Sequence, residues 1–163
     1  AFLFPILKRH NEALALGYLA FRMLEVVLHA MDKLKKLSLI DLSQSYLDGG
    51  GMDAATLQAI GGSIQSESDW AFWLSIVAFG VGALVFYPVL YRSRLVPRWI
   101  SAWGFVAALV ILVGTLLPEL GLLADLTGVT LQLIFVLPVP LNELVLAIWL
   151  IVKGFNRAAL AHA

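Results

Sequence analysis

Four apolar runs of about twenty residues divide the chain, at 13–31, 70–91, 99–117 and 129–152, with polar stretches between them. Each is close to the roughly 20 residues an α-helix needs to cross a hydrocarbon core of about 30 Å. Local signals mark their ends. Asn11 stands where an N-cap of the first run belongs, and Ser66 and Asp69 ahead of the second have capping-box spacing. Pro97 suits the first turn of the third run, which Pro118 is expected to stop. The predicted fold is all-α: a polytopic membrane helix bundle with four full transmembrane helices, forming a single membrane domain over 1–163.

A shorter apolar piece, "AFLFPIL", precedes "KRHNE". That order reverses a secretory signal, in which positive charge comes first. Seven residues rise only about 10 Å as a helix, so this piece reads as the end of a preceding membrane helix and the chain as a fragment. Between the first two runs lies an extracytoplasmic connector at about 32–69. Its front part, with Leu34, Leu37, Ile40 and Leu42, is expected to prolong the first helix until the glycines at 49–51 end it. Asp53 is expected to cap a short interfacial helix through Leu57, Ile60 and Ile64. A second interfacial connector is expected at 119–128.

Polar residues inside the apolar runs are the informative exceptions, because a charge at mid-bilayer costs about 2.5–3.5 kcal/mol even on the lenient insertion scale. Tyr18, Arg22, Glu25, His29 and Lys36 recur at offsets of four, three, four and seven, one helical stripe. The last run carries Asn142 and Glu143 in "PLNELVLAIWLIVKG", directly after Pro138 and Pro140, which predict a kink or brief unwinding there. Arg22 lies eleven residues from Asn11, about 16 Å along a helix, and Glu143 ten from Lys153, about 15 Å. If both ends face the same side, the two meet at one level. The expectation is a buried polar cluster of Arg22, Glu25, His29, Asn142 and Glu143, centred on an Arg22–Glu143 pair. Gly82 with Ala78, and Gly104 with Ala108, have the spacing of close helix contacts.

Composition agrees with the pattern. Of 163 residues 61% are hydrophobic and 13% charged, against about 45–50% and 25% in soluble domains. The net charge of zero supplies no basic surface for nucleic acid. With no cysteine, disulfides and thiolate metal sites are excluded. Glu25 and His29 alone make a weak metal or haem site, no cofactor is expected, and no nucleophile elbow or phosphate loop is present. Of the eleven Lys and Arg, seven fall in the turns at 8–11 and 92–98 and in the C-terminal tail. The positive-inside rule makes that side cytoplasmic, and the basic turn "YRSRLVPRW" is expected to meet anionic lipid.

"LKRHNEALALGYLAFRMLE", "DWAFWLSIVAFGVGALVFYPVLYRSRLVPRWISAWG" and "LNELVLAIWLIVKGFN", in this order, resemble the bacterial integral-membrane family catalogued as domain of unknown function 4386. The resemblance implies six membrane helices, about two of them N-terminal to the runs seen here, and a bacterial inner-membrane location. It implies no activity. The expected function is therefore that of a non-enzymatic or accessory membrane subunit, with membrane lipid and other membrane subunits as partners and the polar cluster holding the bundle. The alternative is a small-molecule or proton transporter with a midplane site at Glu143, Arg22 and Glu25.

Overall fold

A computed structural model describes residues 3–49, 51, 53–119 and 132–156. The expected connector at 119–128 beyond Glu119, the start of the fourth run at 129–131 and the tail from Arg157 lie outside the described residues. Among the described residues five α-helices follow in order: α1 (Phe4–His10), α2 (Glu12–Leu47), α3 (Ala54–Ser93), α4 (Arg98–Glu119) and α5 (Pro138–Val152), with a π-helical segment Gln132–Val136 ahead of α5. Among the described residues there is no strand. The chain forms two compact units, one of residues 1–22 and 76–163, the other of 23–75.

In the larger unit, the side chain of Asn11 accepts a hydrogen bond from the Leu14 amide at 2.9 Å and so caps the start of α2. On α4 the buried residues are Ile100, Ser101, Gly104, Ala107, Ala108, Ile111 and Leu112, the stripe that a 3.6-residue period puts on one side. Val139, Asn142 and Leu146 form the matching stripe of α5. Leu7, Phe86, Leu90, Leu95, Ile100 and Leu146 meet in one apolar core. Several glycines on these faces let helices approach. A Cβ on Gly80 would stand 2.5 Å from Leu112, and one on Gly82 would stand 3.0 Å from Phe21.

The prolines mark an interruption of the kind expected. The π-helical segment ends at Val136, Leu137 is a turn, and Pro138 opens α5, so regular α-helix is briefly lost just before Asn142. A proline in the first helical turn loses nothing, since its missing N–H would have no intrahelical acceptor there. Pro118 falls in the last turn of α4, which is described to Glu119, one residue beyond it; there its missing N–H leaves the carbonyl one turn earlier without that donor, as a helix stop does.

The smaller unit is an antiparallel pair formed by α2 beyond Arg22 and α3 up to Ser75. α2 continues to Leu47, and Gly49 and Gly51 adopt left-handed φ of 81° and 67° where the chain turns back. Asp53 then caps α3: its carboxylate accepts from the Thr56 amide at 2.7 Å and the Thr56 hydroxyl at 3.0 Å. Those two donors hold its pKa below the usual carboxylate value. The separate short interfacial helix expected after Asp53 is instead the first part of α3, which runs without a break to Ser93. Ser66 and Asp69 are thus inside a helix and cap nothing; Gln65 donates to Asp69 at 2.7 Å along its surface. The two helices are pinned by Asp32, which is fully buried and accepts from Ser68 at 2.7 Å, Lys36 at 2.8 Å and Lys33 at 2.9 Å. An ion pair of Lys35 with Glu67 lies beside it.

Candidate functional site: two polar contacts among apolar helices

α5 turns about 100° per residue, so Asn142 and Glu143 leave the helix toward different neighbours. Asn142 belongs to the inward stripe and is fully buried. Its Oδ1 accepts from the Tyr87 hydroxyl at 2.7 Å, and its Nδ2 donates to the backbone carbonyl of Ile100 at 3.0 Å. Gly104 makes room for this junction: a Cβ there would stand 2.1 Å from the Tyr87 ring and 2.6 Å from Asn142 Oδ1. Tyr87, on the buried stripe of Ala83, Phe86, Tyr87 and Leu90, brings in α3. Three helices are thereby joined through one amide.

Glu143 points to α2. Its Oε1 accepts from Arg22 Nη2 at 3.0 Å. Arg22 Nε donates to the Tyr18 hydroxyl at 3.3 Å, one turn earlier. The guanidinium also lies over the Phe79 ring at 4.8 Å, and the Tyr18 ring stacks on Phe86 at 4.6 Å. These are the contacts a guanidinium prefers, charge-assisted bonds and a π face. The pair is not enclosed by the described residues. The side chains of Arg22 and Glu143 are 31% and 43% exposed.

Of the five residues expected to form one cluster, three lie in the larger unit and two in the smaller. Arg22 and Glu143 touch each other, whereas the bonds of Asn142 go to Tyr87 and Ile100. Glu25 and His29 belong to the smaller unit. There the His29 ring meets Phe72 edge-on at 5.7 Å, and its buried Nδ1 has no hydrogen-bond partner among the described residues. Sequence reasoning did not single out Tyr87, Ile100 or Asp32. Tyr87 carried a signal, because a mid-run tyrosine on a helical stripe with Ala83 and Leu90 needs a partner for its hydroxyl. Ile100 carried none, since its contribution is a backbone carbonyl.

Four helical segments among the described residues, 12–47, 54–93, 98–119 and 133–152, are long and apolar enough to cross a membrane. With polar groups gathered on inward stripes of such helices, the class is a multi-pass membrane helix-bundle protein. Within that class, the chain belongs to the family described as "Domain of unknown function (DUF4386)", which matches residues 1–154. No curated protein and no solved structure matches it.

Proposed function

We propose that this protein is a non-enzymatic or accessory subunit of a bacterial inner-membrane assembly, in which the polar contacts of α5 hold the bundle and another chain covers the Arg22–Glu143 pair. The observation that supports this is the partial exposure of that pair. A carboxylate and a guanidinium left open to hydrocarbon within a crossing segment are costly, and a neighbouring subunit removes the cost without requiring chemistry of them. Asn142, by contrast, has both ends of its amide engaged inside the chain, as a structural lock requires.

The orientation belongs to the same reading. Leu7, Leu90 and Leu95 share one core with Phe155 packed against it, so the basic turns at 8–11 and 92–98 and the end of α5 gather at one end of the larger unit. That end is assigned to the cytoplasm on the positive-inside rule.

The same exposure favours a second reading, a small-molecule or proton transporter whose site is Glu143 with Arg22. Proteoliposome flux with the native protein and Glu143→Gln separates the two. The subunit reading expects no flux that depends on Glu143 and a thermal stability that does; flux present in the native protein and abolished by the substitution overturns it.

A further inference from the structure

A cleft of about 620 Å³ opens between the α3–α4 turn and the end of α5. Arg94, Arg98 and Lys153 line it, and among the described residues that do so none is acidic. Its apolar side includes Trp149 and Phe155, both partly exposed. The frame is built from both partners. The Asn156 amide donates to the Leu95 carbonyl at 3.0 Å and its side chain to the Arg94 carbonyl at 3.4 Å. Arg94 takes a left-handed φ of 54°, and Gly154 turns the chain after α5 with φ 69°. Both backbone features bring the turn and the tail together.

The electrostatics of the backbone favour an anion as well. α4 begins at Arg98, so the positive end of a 22-residue helix dipole lies at the turn that lines the cleft, although the Ile100 and Ser101 amides are already taken by the Pro97 carbonyl. At the end of α5 the opposite polarity is blunted, since the Trp149 and Leu150 carbonyls accept from the Lys153 and Gly154 amides. Trp149 and the exposed Trp99 and Tyr91 flank this end, as aromatic side chains do at a lipid headgroup level. A phosphate among three cations with apolar surface beneath it matches the chemistry of an anionic phospholipid better than that of a freely soluble anion.

We infer that the cleft between the α3–α4 turn and the end of α5 is a binding site for a phosphate group, supplied by an anionic phospholipid, with Arg94, Arg98 and Lys153 as its ligands. The site lies at the helix ends and is independent of whether Glu143 transports anything. It is tested by native mass spectrometry of the full chain in detergent, titrated with phosphatidylglycerol, phosphatidylcholine or inorganic phosphate. The native protein is expected to retain phosphatidylglycerol over phosphatidylcholine. Arg98→Gln and Lys153→Gln should each lower that preference about fivefold, the triple Gln variant should abolish it, and Arg98→Lys should restore most of it. Lys8→Gln, which removes equal charge from an exposed pair with Glu12, should leave it unchanged. Equal retention of the two lipids, or a preference that survives the triple substitution with helicity intact, overturns the site. Tight binding of inorganic phosphate without lipid retention overturns the lipid as its source.

Discussion

The Tyr87 hydroxyl donates to Asn142 Oδ1 at 2.7 Å, and the contact lies directly over the bare Cα of Gly104. It is a junction in which each residue type is required by the others. An amide buried between helices must use both its ends, and the tyrosine ring reaches it only where the facing residue has no side chain.

Replacing one partner therefore strands the other. Asn142→Leu is expected to cost about 1–3 kcal/mol, because the Tyr87 hydroxyl and the Ile100 carbonyl lose their partner in an apolar interior. Tyr87→Phe should cost a similar amount, and the double variant less than the sum. Thermal unfolding in detergent micelles of the four proteins checks this; strict additivity would contradict it.

Gly104→Ala should be among the more damaging single methyl additions, about 1–3 kcal/mol, since the new carbon meets a ring and an amide already in contact. Gly62→Ala, on the same scale, should be neutral or stabilising by about 0.5–1 kcal/mol, because Gly62 lies within α3 and a Cβ there meets nothing within 4 Å. Paired melting curves compare them.

Arg22 and Glu143 should couple modestly. A double-mutant cycle with Arg22→Gln and Glu143→Gln is expected to give about 0.5–2 kcal/mol, the range for polar contacts between membrane helices. A coupling of zero would mean that the 3.0 Å contact contributes nothing to holding α2 against α5.

Asp32→Asn should destabilise the smaller unit. The neutral amide loses its ion pairs with Lys33 and Lys36, although both ammonium groups can turn to water, being 62% and 46% exposed. About 1–2 kcal/mol is expected, read as faster amide hydrogen exchange in 23–75 than in 76–119.

Acid should loosen the start of α3. The Asp53 carboxylate has its pKa lowered in the folded chain by the Thr56 donors. Its contribution is therefore present above the unfolded pKa and is lost as pH falls through the folded one. Exchange at the Thr56 amide should accelerate on acidification across that window, and Asp53→Asn, which caps without titrating, should remove the pH dependence.

Helices were legible along this chain because burial in lipid or protein demands long apolar runs, and runs of that length have no other use for their backbone groups. Asn11 and Asp53 were legible as caps for an equally local reason. The depths of Arg22 and Glu143 followed from counting residues from the helix ends, at 1.5 Å each. The π-helical segment before Pro138 was not legible as such, because a proline has the same effect on sequence pattern whether it kinks a helix or begins one. Nor was the continuity of α3 across Ser66 and Asp69, since a capping pair is also an ordinary pair of polar residues on an exposed helical face. The sequence alone determined that polar groups sit inside crossing helices and therefore need partners. Only tertiary structure decided that Asn142 turns to Tyr87 and Ile100 while Glu143 turns to Arg22, because rotation about each helix axis is set by packing small residues such as Gly104 against large ones, a property of pairs of helices that no single run contains.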